Sequence, residues 1–416
     1  MPCYKSGNYS RVLNRRRRER QNRVNTIIKA RNRNGVQASN WEPWTPASEA
    51  QQMAIDSLAK FTGYGGMPGA GKSSLLLMLS NYYPTVQIFR KTSTNLDGLI
   101  RDSHNMLDGS GAQFNRTKHI WRDVPGEYGK GILQFCHLQY DHSAEIYQGN
   151  PAEAKCYDEA TQLNRQPFSY TAKWTRSSII GQYSRNFLTF NPPTTQKGMW
   201  VIDFFAPWIH PNYEQKTGRE SAKSGEIRWF IIDTDKNGQE LDIEVDWSQI
   251  DLFLRLPGEK RGRKREYIDI SVEEYRKHKL SELDLGDRHD LVHQYYSDNN
   301  VDTKKLDLVP RSRKVLLEVD GTIRRSPDQS KGLEPLSRTF IQGLLQDNPY
   351  YAGTDYEAVL DSLPEPMRSM YKNAQFRVDL NISSDFQVIP TAWVQLAMDR
   401  WREFNDADIE VVGIGV

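Results

Sequence analysis

At 416 residues the chain can hold two or three domains, and 38% apolar residues with 11% aromatics suffice for a folded core. No apolar run reaches the roughly 18–20 residues of a membrane span, and the N-terminus lacks the apolar stretch of a signal peptide. Three cysteines without regular spacing (Cys3, Cys136, Cys156) argue against a disulfide framework and for a reducing compartment, and the eight histidines form no cluster with them that would read as a zinc site. A mean hydropathy of −0.71 points to long solvated segments.

The net charge of +2 is unevenly spread. Residues 1–40 carry eleven Lys or Arg against a single acid, Glu19, and Arg15 to Arg18 are consecutive. Such a block repels itself, which predicts a flexible basic arm that meets a polyanion, with nucleic acid the favoured partner. Trp41-Glu42-Pro43-Trp44-Thr45-Pro46 ends the arm in an extended stretch, because two prolines disfavour helix before them. A helix is predicted over 48–60 with Ser48 as N-cap. Phe61 to Tyr64 reads as a short strand, and Ser74 to Leu79 as the start of a buried helix.

Between those two elements stands Gly66-Met67-Pro68-Gly69-Ala70-Gly71-Lys72-Ser73, which fits G-x-x-x-x-G-K-[ST] at every fixed position. Gly66, Gly69 and Gly71 permit the tight turn that aims backbone N–H groups at a polyphosphate, Lys72 reaches its β/γ-phosphates, and the Ser73 hydroxyl is a ligand for Mg²⁺. Ser74 follows at the helix start, where anions are favoured.

Farther along, 86–91 is predicted as a strand, 96–107 as a helix, 130–138 as a strand entered through a turn at Pro125-Gly126, and 187–190 as a strand before Asn191-Pro192-Pro193. This alternation implies an α/β fold with a central, mostly parallel sheet and helices on both faces. Ala154 to Tyr157 reads as another strand, on which Lys155 is expected to point outward. It leads into Asp158-Glu159-Ala160, 86 residues after Lys72. An aspartate at the end of a buried strand holds Mg²⁺ through its water shell, and the next carboxylate orients and deprotonates a water.

The composition turns charged and polar over 219–331, which reads as an insertion with some β structure. Asp233-Thr234-Asp235-Lys236-Asn237-Gly238 with Glu244 fits a calcium-loop spacing, but the flanking runs read as strands, so a hairpin with an Asn-Gly turn is the better reading. His289 and His293 share a helical spacing without a third ligand, a polar helix face rather than a metal site. Residues 332–402 read as mostly helical.

In this order the pieces resemble the large terminase subunits of tailed bacteriophages. The resemblance rests on the phosphate loop, Phe89-Arg90-Lys91-Thr92, Tyr147-Gln148-Gly149, Asp158-Glu159-Ala160, Trp174-Thr175-Arg176, Leu188-Thr189-Phe190-Asn191-Pro192-Pro193, Ser337-Arg338-Thr339-Phe340-Ile341, Asp347-Asn348-Pro349 and Gln387-Val388-Ile389-Pro390. It spans nearly everything from Trp41 onward except the insertion. It implies a P-loop ATPase core over 41–218, a helical associated region over 332–402, and a motor that hydrolyses ATP with Mg²⁺ to drive double-stranded viral DNA into a procapsid. It further implies a portal protein and a small terminase subunit as partners, a homo-oligomeric ring on the portal, no membrane, and the host cell cytoplasm as location.

For the site, the resemblance implies that Thr189 and Asn191 sense the γ-phosphate and couple hydrolysis to DNA movement. The loop carries no arginine, so a charge-stabilising one must come from elsewhere, and Arg176 and Arg185 are candidates on spacing alone. Gln51 or Gln52 is a candidate adenine reader. The stretch 403–416, ending Val411-Val412-Gly413-Ile414-Gly415-Val416, resembles the first strand of the family's nuclease domain, which implies no nuclease activity from this chain. Two other readings stay open: another nucleic-acid-dependent P-loop ATPase of the helicase kind, and a DNA-binding packaging component with an inactive nucleotide site.

Overall fold

The computed structural model describes residues 41–57, 59–177, 184–234, 240–245, 332–351, 354–364, 367–372, 374 and 376, together with the backbone of a few strands between 252 and 325. The basic arm, Asn237-Gly238, His289, His293, Gln387 to Pro390 and the segment 403–416 lie outside the described residues.

The elements run α1 (Glu49–Asp56), β1 (Phe61–Gly66), α2 (Lys72–Met78), β2 (Thr85–Arg90), α3 (Leu96–Leu107), β3 (Gln113–Asn115), β4 (Ile120–Gly126), β5 (Gly129–His137), β6 (Ala154–Tyr157), α4 (Arg165–Ala172) and β7 (Arg185–Phe190). Three short helices follow, α5 (Trp200–Phe204), α6 (Ala206–Ile209) and α7 (Tyr213–Thr217), and then the strands β8 (Arg228–Thr234) and β9 (Glu240–Val245). Five strands, β10 (Leu252–Arg261), β11 (Lys264–Ser271), β12 (Pro310–Ser312), β13 (Val315–Leu317) and β14 (Ile323–Arg325), pair in two small antiparallel sheets. The described chain closes with β15 (Leu336–Gly343), α8 (Tyr356–Asp361) and α9 (Met367–Lys372).

A ten-stranded sheet in the order β3-β4-β5-β2-β6-β7-β1-β15-β8-β9 organises the fold. Its middle six strands, β5 to β15 in that order, are parallel, and antiparallel pairs extend it at both edges. One face is covered by α1, α2 and α3 through Ile55, Leu75, Leu76, Leu96 and Leu99, packed on Val86, Ile88, Cys156 and Phe187. The other carries α4 to α6 through Phe168, Val201, Phe204, Phe205 and Ile209, packed on Phe61, Phe89, Tyr157, Leu188 and Phe340. Strands β1, β6 and β7 are buried along their whole length, as parallel strands covered on both faces must be. The architecture is therefore α/β with a mostly parallel sheet, as the alternation of strand and helix implies.

Several local expectations give way to the packing. Lys155 does not point outward: β6 is central, has no solvent face, and Lys155 is fully buried. Its Nζ donates to Gln87 Oε1 (2.5 Å) and Asn150 O (3.2 Å) and lies 5.4 Å from the centre of the Phe89 ring. Burial pulls its amine down to about 8, with Cys136 acting the other way. Pro125-Gly126 is no turn but the end of β4, which pairs with β5 across Glu127 and Tyr128; the β4–β5 register shifts earlier in the strand, between Arg122 and Val124. Helix α1 begins at its expected cap, Ser48 Oγ accepting from Gln51 N, but stops at Asp56. There the buried Arg185 donates to the Ile55 (2.5 Å) and Ser57 carbonyls and so satisfies a helix end in place of a further turn.

Leu336 to Gly343, expected in a helical region, forms β15 beside β1. Burial of Ser337 to Ile341 on both faces removes the alternation that marks a strand. The charged segment's first hairpin, β8–β9, joins the main sheet through β15 rather than standing apart from it. Arg338 staples it there: the guanidinium is fully buried between the Phe204 and Phe230 rings and pairs with Asp242, which Arg165 also holds (2.7 Å).

Candidate active site

In an open parallel sheet, ligands bind beyond the carboxyl ends of the strands. The register fixes which residues meet there. Phe89 pairs with Tyr157, Tyr157 with Leu188, and Phe190 with Gly65. Arg90, Asp158 and Thr189 therefore emerge side by side, and the loop that follows β1 turns over them.

The loop's shape is set by glycine and by what surrounds it. Gly66 has φ 138°, and a Cβ there would lie 2.5 Å from Gly343 O; Gly71 has φ 74°, and a Cβ there would lie 2.4 Å from Gln51 Nε2. L side chains rarely adopt either conformation, so the pattern's glycines are structural requirements. Four neighbours brace the turn. Gly343 O accepts from Met67 N (3.1 Å), Tyr64 Oη donates to Ala70 O (2.8 Å), Asn348 Nδ2 donates to Gly69 O (2.6 Å), and Gln51 Nε2 donates to Gly71 O (2.8 Å). Met67 is buried in a small apolar cluster with Leu345, Leu360 and Ala374, which ties the loop to the α8–α9 segment.

Asp158 is the centre of the site. It is buried, and five donors surround its carboxylate. Oδ1 accepts from Thr189 Oγ1 (2.6 Å) and Glu159 N (3.2 Å), while Oδ2 accepts from Arg90 Nη2 (2.7 Å), Arg90 Nε (2.9 Å) and Ser73 Oγ (3.4 Å). Glu159 has φ 51°, a left-handed conformation that is strained for a residue with a side chain and that gathers at functional positions. Its side chain is 38% exposed, against 3% for Asp158, so it faces water that Asp158 does not. Lys72 is half-buried with Nζ on Met67 O (2.5 Å); burial draws its amine down to about 8, and Asp158 and Glu159 partly restore it.

The donor set fits a divalent cation of the magnesium type. Ser73 and Asp158 offer two hard oxygens 3.4 Å apart, and among the described residues no group of three or more His, Cys, Asp or Glu forms a closed cage. Mg²⁺ takes one or two protein oxygens and leaves the rest of its shell to water and phosphate.

The structure thus gathers Gly66, Gly69, Gly71, Lys72, Ser73, Asp158, Glu159 and Thr189. Ser74 and Gln51 stand against the loop, but their side chains hold its backbone: Ser74 Oγ donates to Gly71 O (2.9 Å), and Gln51 Nε2 donates to the same carbonyl (2.8 Å). Asn191 follows directly on β7, level with Gly66. Its Oδ1 is a buried acceptor without a hydrogen-bond partner among the described residues, an atom in place to meet a ligand.

The two arginines chosen on spacing are not at the site. Arg176 donates its amide to Ala152 O (3.1 Å) and is exposed against Trp174, beyond the opposite end of β6 from Asp158. Arg185 begins β7 at that same end, with Nε on Tyr83 Oη (2.6 Å) and its other nitrogens on the Ile55 and Ser57 carbonyls at the end of α1. Among the described residues the arginine that reaches the site is Arg90, which sequence reasoning quotes within a motif but gives no role. Asn348, likewise quoted without a role, holds the loop. Neither stands near Lys72 or Asp158 in sequence, and only the strand order brings them there.

No protein-family model matches this chain, and no curated protein matches it. Among solved structures it is similar to the large terminase ATPase domain of Thermus phage P74-26, with 14% identity, 40% of this chain and 72% of that chain covered, and a TM-score of 0.30. It is also similar to a large terminase from a thermophilic bacteriophage, with 12% identity, 63% and 76% covered and a TM-score of 0.32, and to that protein in complex with ATP-gamma-S at 12% identity, 63% and 75% covered, and 0.31. Overlap at this level is too slight to transfer an activity.

Proposed function

We propose that this chain is an ATP-hydrolysing motor for double-stranded DNA, of the kind that fills a viral procapsid in tailed bacteriophages. The observation that carries the reading is the convergence of Lys72, Ser73, Asp158 and Glu159 at the carboxyl edge of β1 and β6. In it the loop amides and Lys72 hold the β/γ-phosphates, Ser73 and Asp158 hold Mg²⁺, and the ion neutralises phosphate charge when bound. Glu159 takes the proton of a water that attacks the terminal phosphorus, while the bond to the β-γ bridging oxygen breaks and ADP leaves. Buried Thr189 locks Asp158 in orientation, and Asn191 offers its free acceptor to the O–H of the attacking water.

Coupling to DNA rests on the order of sequence pieces and on the basic arm. A portal protein, a small terminase subunit, a homo-oligomeric ring and action in the host cell cytoplasm complete the proposal. Among the described residues no helix is long and apolar enough to cross a membrane. The test is phosphate release from ATP by the purified chain with Mg²⁺, with and without double-stranded DNA. Release that rises with DNA supports the motor; release that ignores DNA leaves an ATPase with another task.

A further inference from the structure

Nucleotide hydrolysis needs positive charge near the terminal phosphate beyond the lysine and the metal. The loop has no arginine, and Arg176 and Arg185 stand at the far end of the sheet. Arg90 stands at the near end, on the strand next to β6, and its side chain is only 15% exposed.

Its contacts are unusual for a fixed structural pair. Nε and Nη2 both converge on one oxygen, Asp158 Oδ2, at 2.9 and 2.7 Å, instead of spanning the two carboxylate oxygens as a fork. Oδ2 is also the oxygen that faces Ser73 Oγ, and hence the side on which a cation shared with Ser73 would sit. A guanidinium and a divalent cation repel each other strongly at such short range, so they do not share that oxygen. Nη2 lies 3.9 Å from Glu159 Oε1, so the same guanidinium touches both acids of the site, and Nη1 is anchored on Asn95 O (2.6 Å) just ahead of α3.

We propose that Arg90 is the arginine of this site: without metal it neutralises Asp158, and when metal and nucleotide take that carboxylate its guanidinium turns to the terminal phosphate. This rests on the nucleotide-hydrolysing reading above. It replaces Arg176 and Arg185 with a residue acting within its own chain, and it makes metal binding and arginine positioning one event. The turn frees Asn95 O or carries it along, so the 91–95 loop reports on the state of the site.

Three purified proteins test it: the parent, Arg90→Gln and Arg90→Lys, each checked for folding by circular dichroism and thermal melting. Mn²⁺ titrated without nucleotide and followed by electron paramagnetic resonance reads the first half. Arg90→Gln removes the competing charge and is expected to bind Mn²⁺ about tenfold more tightly, while Arg90→Lys stays near the parent. A fluorescent ADP analogue, with saturating Mg²⁺, is expected to bind all three within about threefold, since Lys72 and the loop hold the diphosphate. ATP turnover is expected to fall at least about a hundredfold in Arg90→Gln, and to stay well below the parent in Arg90→Lys, whose single donor cannot replace a planar fork.

Unchanged Mn²⁺ affinity in Arg90→Gln, or turnover within about threefold of the parent, overturns the proposal. A parent that binds no ADP and releases no phosphate overturns the nucleotide reading itself. That is a different result, because it appears before any arginine is changed.

Discussion

Asp158 carries the site because its two oxygens divide the work: one is locked by Thr189 and the Glu159 amide, and the other faces Ser73 and Arg90. Around it, single substitutions have separable effects. Lys72→Ala removes the charge proposed to meet the β/γ-phosphates and is expected to abolish ATP turnover. Glu159→Gln keeps shape and strained backbone but accepts no proton, so it is expected to bind nucleotide like the parent and turn it over at least about a hundredfold more slowly. Loss of binding along with turnover, read by fluorescent ADP titration, would make Glu159 structural.

A third expectation concerns Lys155, which the mechanism does not use. Its amine falls from 10.5 to about 8 on folding. Below pH 8 it is charged in both states, and folding bears the full penalty of burying that charge. As pH rises from 8 to 10.5 the folded chain sheds its proton first, so the penalty fades. Lys155→Met is therefore expected to be less pH-dependent than the parent in that window, by up to roughly 3 kcal/mol in chemical denaturation. Parallel stability curves would show that Lys155 keeps its proton in the fold throughout that window, so that burial does not lower its amine. Lys72, Ser73, Asp158 and Glu159 were readable because fixed local spacing defines them. Arg90 was not, because its partner lies 68 residues away and only the β2–β6 pairing joins them.

At the scale of elements, the phosphate loop is a turn held from four sides. Gly66→Ala sets a Cβ against the Gly343 carbonyl in a backbone region forbidden to alanine, and is expected to destabilise by about 1–3 kcal/mol. Asn348→Ala removes the donor to Gly69 O without touching any group assigned to phosphate. It is expected to weaken binding of the ADP analogue about five- to tenfold while the melting temperature changes little; unchanged affinity would show the brace to be idle. Helices α2 and α3 and strands β1, β2 and β7 were legible within a residue or two, since apolar runs bounded by turn residues mark them. Strand β4, one in from the sheet edge, and β15 were not. Pro125-Gly126 mimics a turn within β4, and a strand buried on both faces has no period to read.

Across the whole molecule, a ten-stranded sheet with covered faces supplies a rigid platform, and the residues of the proposed site gather at its carboxyl edge. The basic arm of residues 1–40 is the sequence's clearest offer to a polyanion. Its removal is expected to weaken DNA binding and to flatten the salt dependence, since each lost phosphate contact takes about 0.9 from the slope of log affinity against log salt. An unchanged slope would assign the arm to another partner. The most direct measurement is phosphate release from Mg²⁺·ATP by the purified chain beside Lys72→Ala and Glu159→Gln, with and without double-stranded DNA. The expected result is turnover in the parent that DNA accelerates and that both substitutions abolish. A parent without turnover, or a Lys72→Ala protein within about twofold of it, would contradict the assignment of this loop and these acids to ATP hydrolysis.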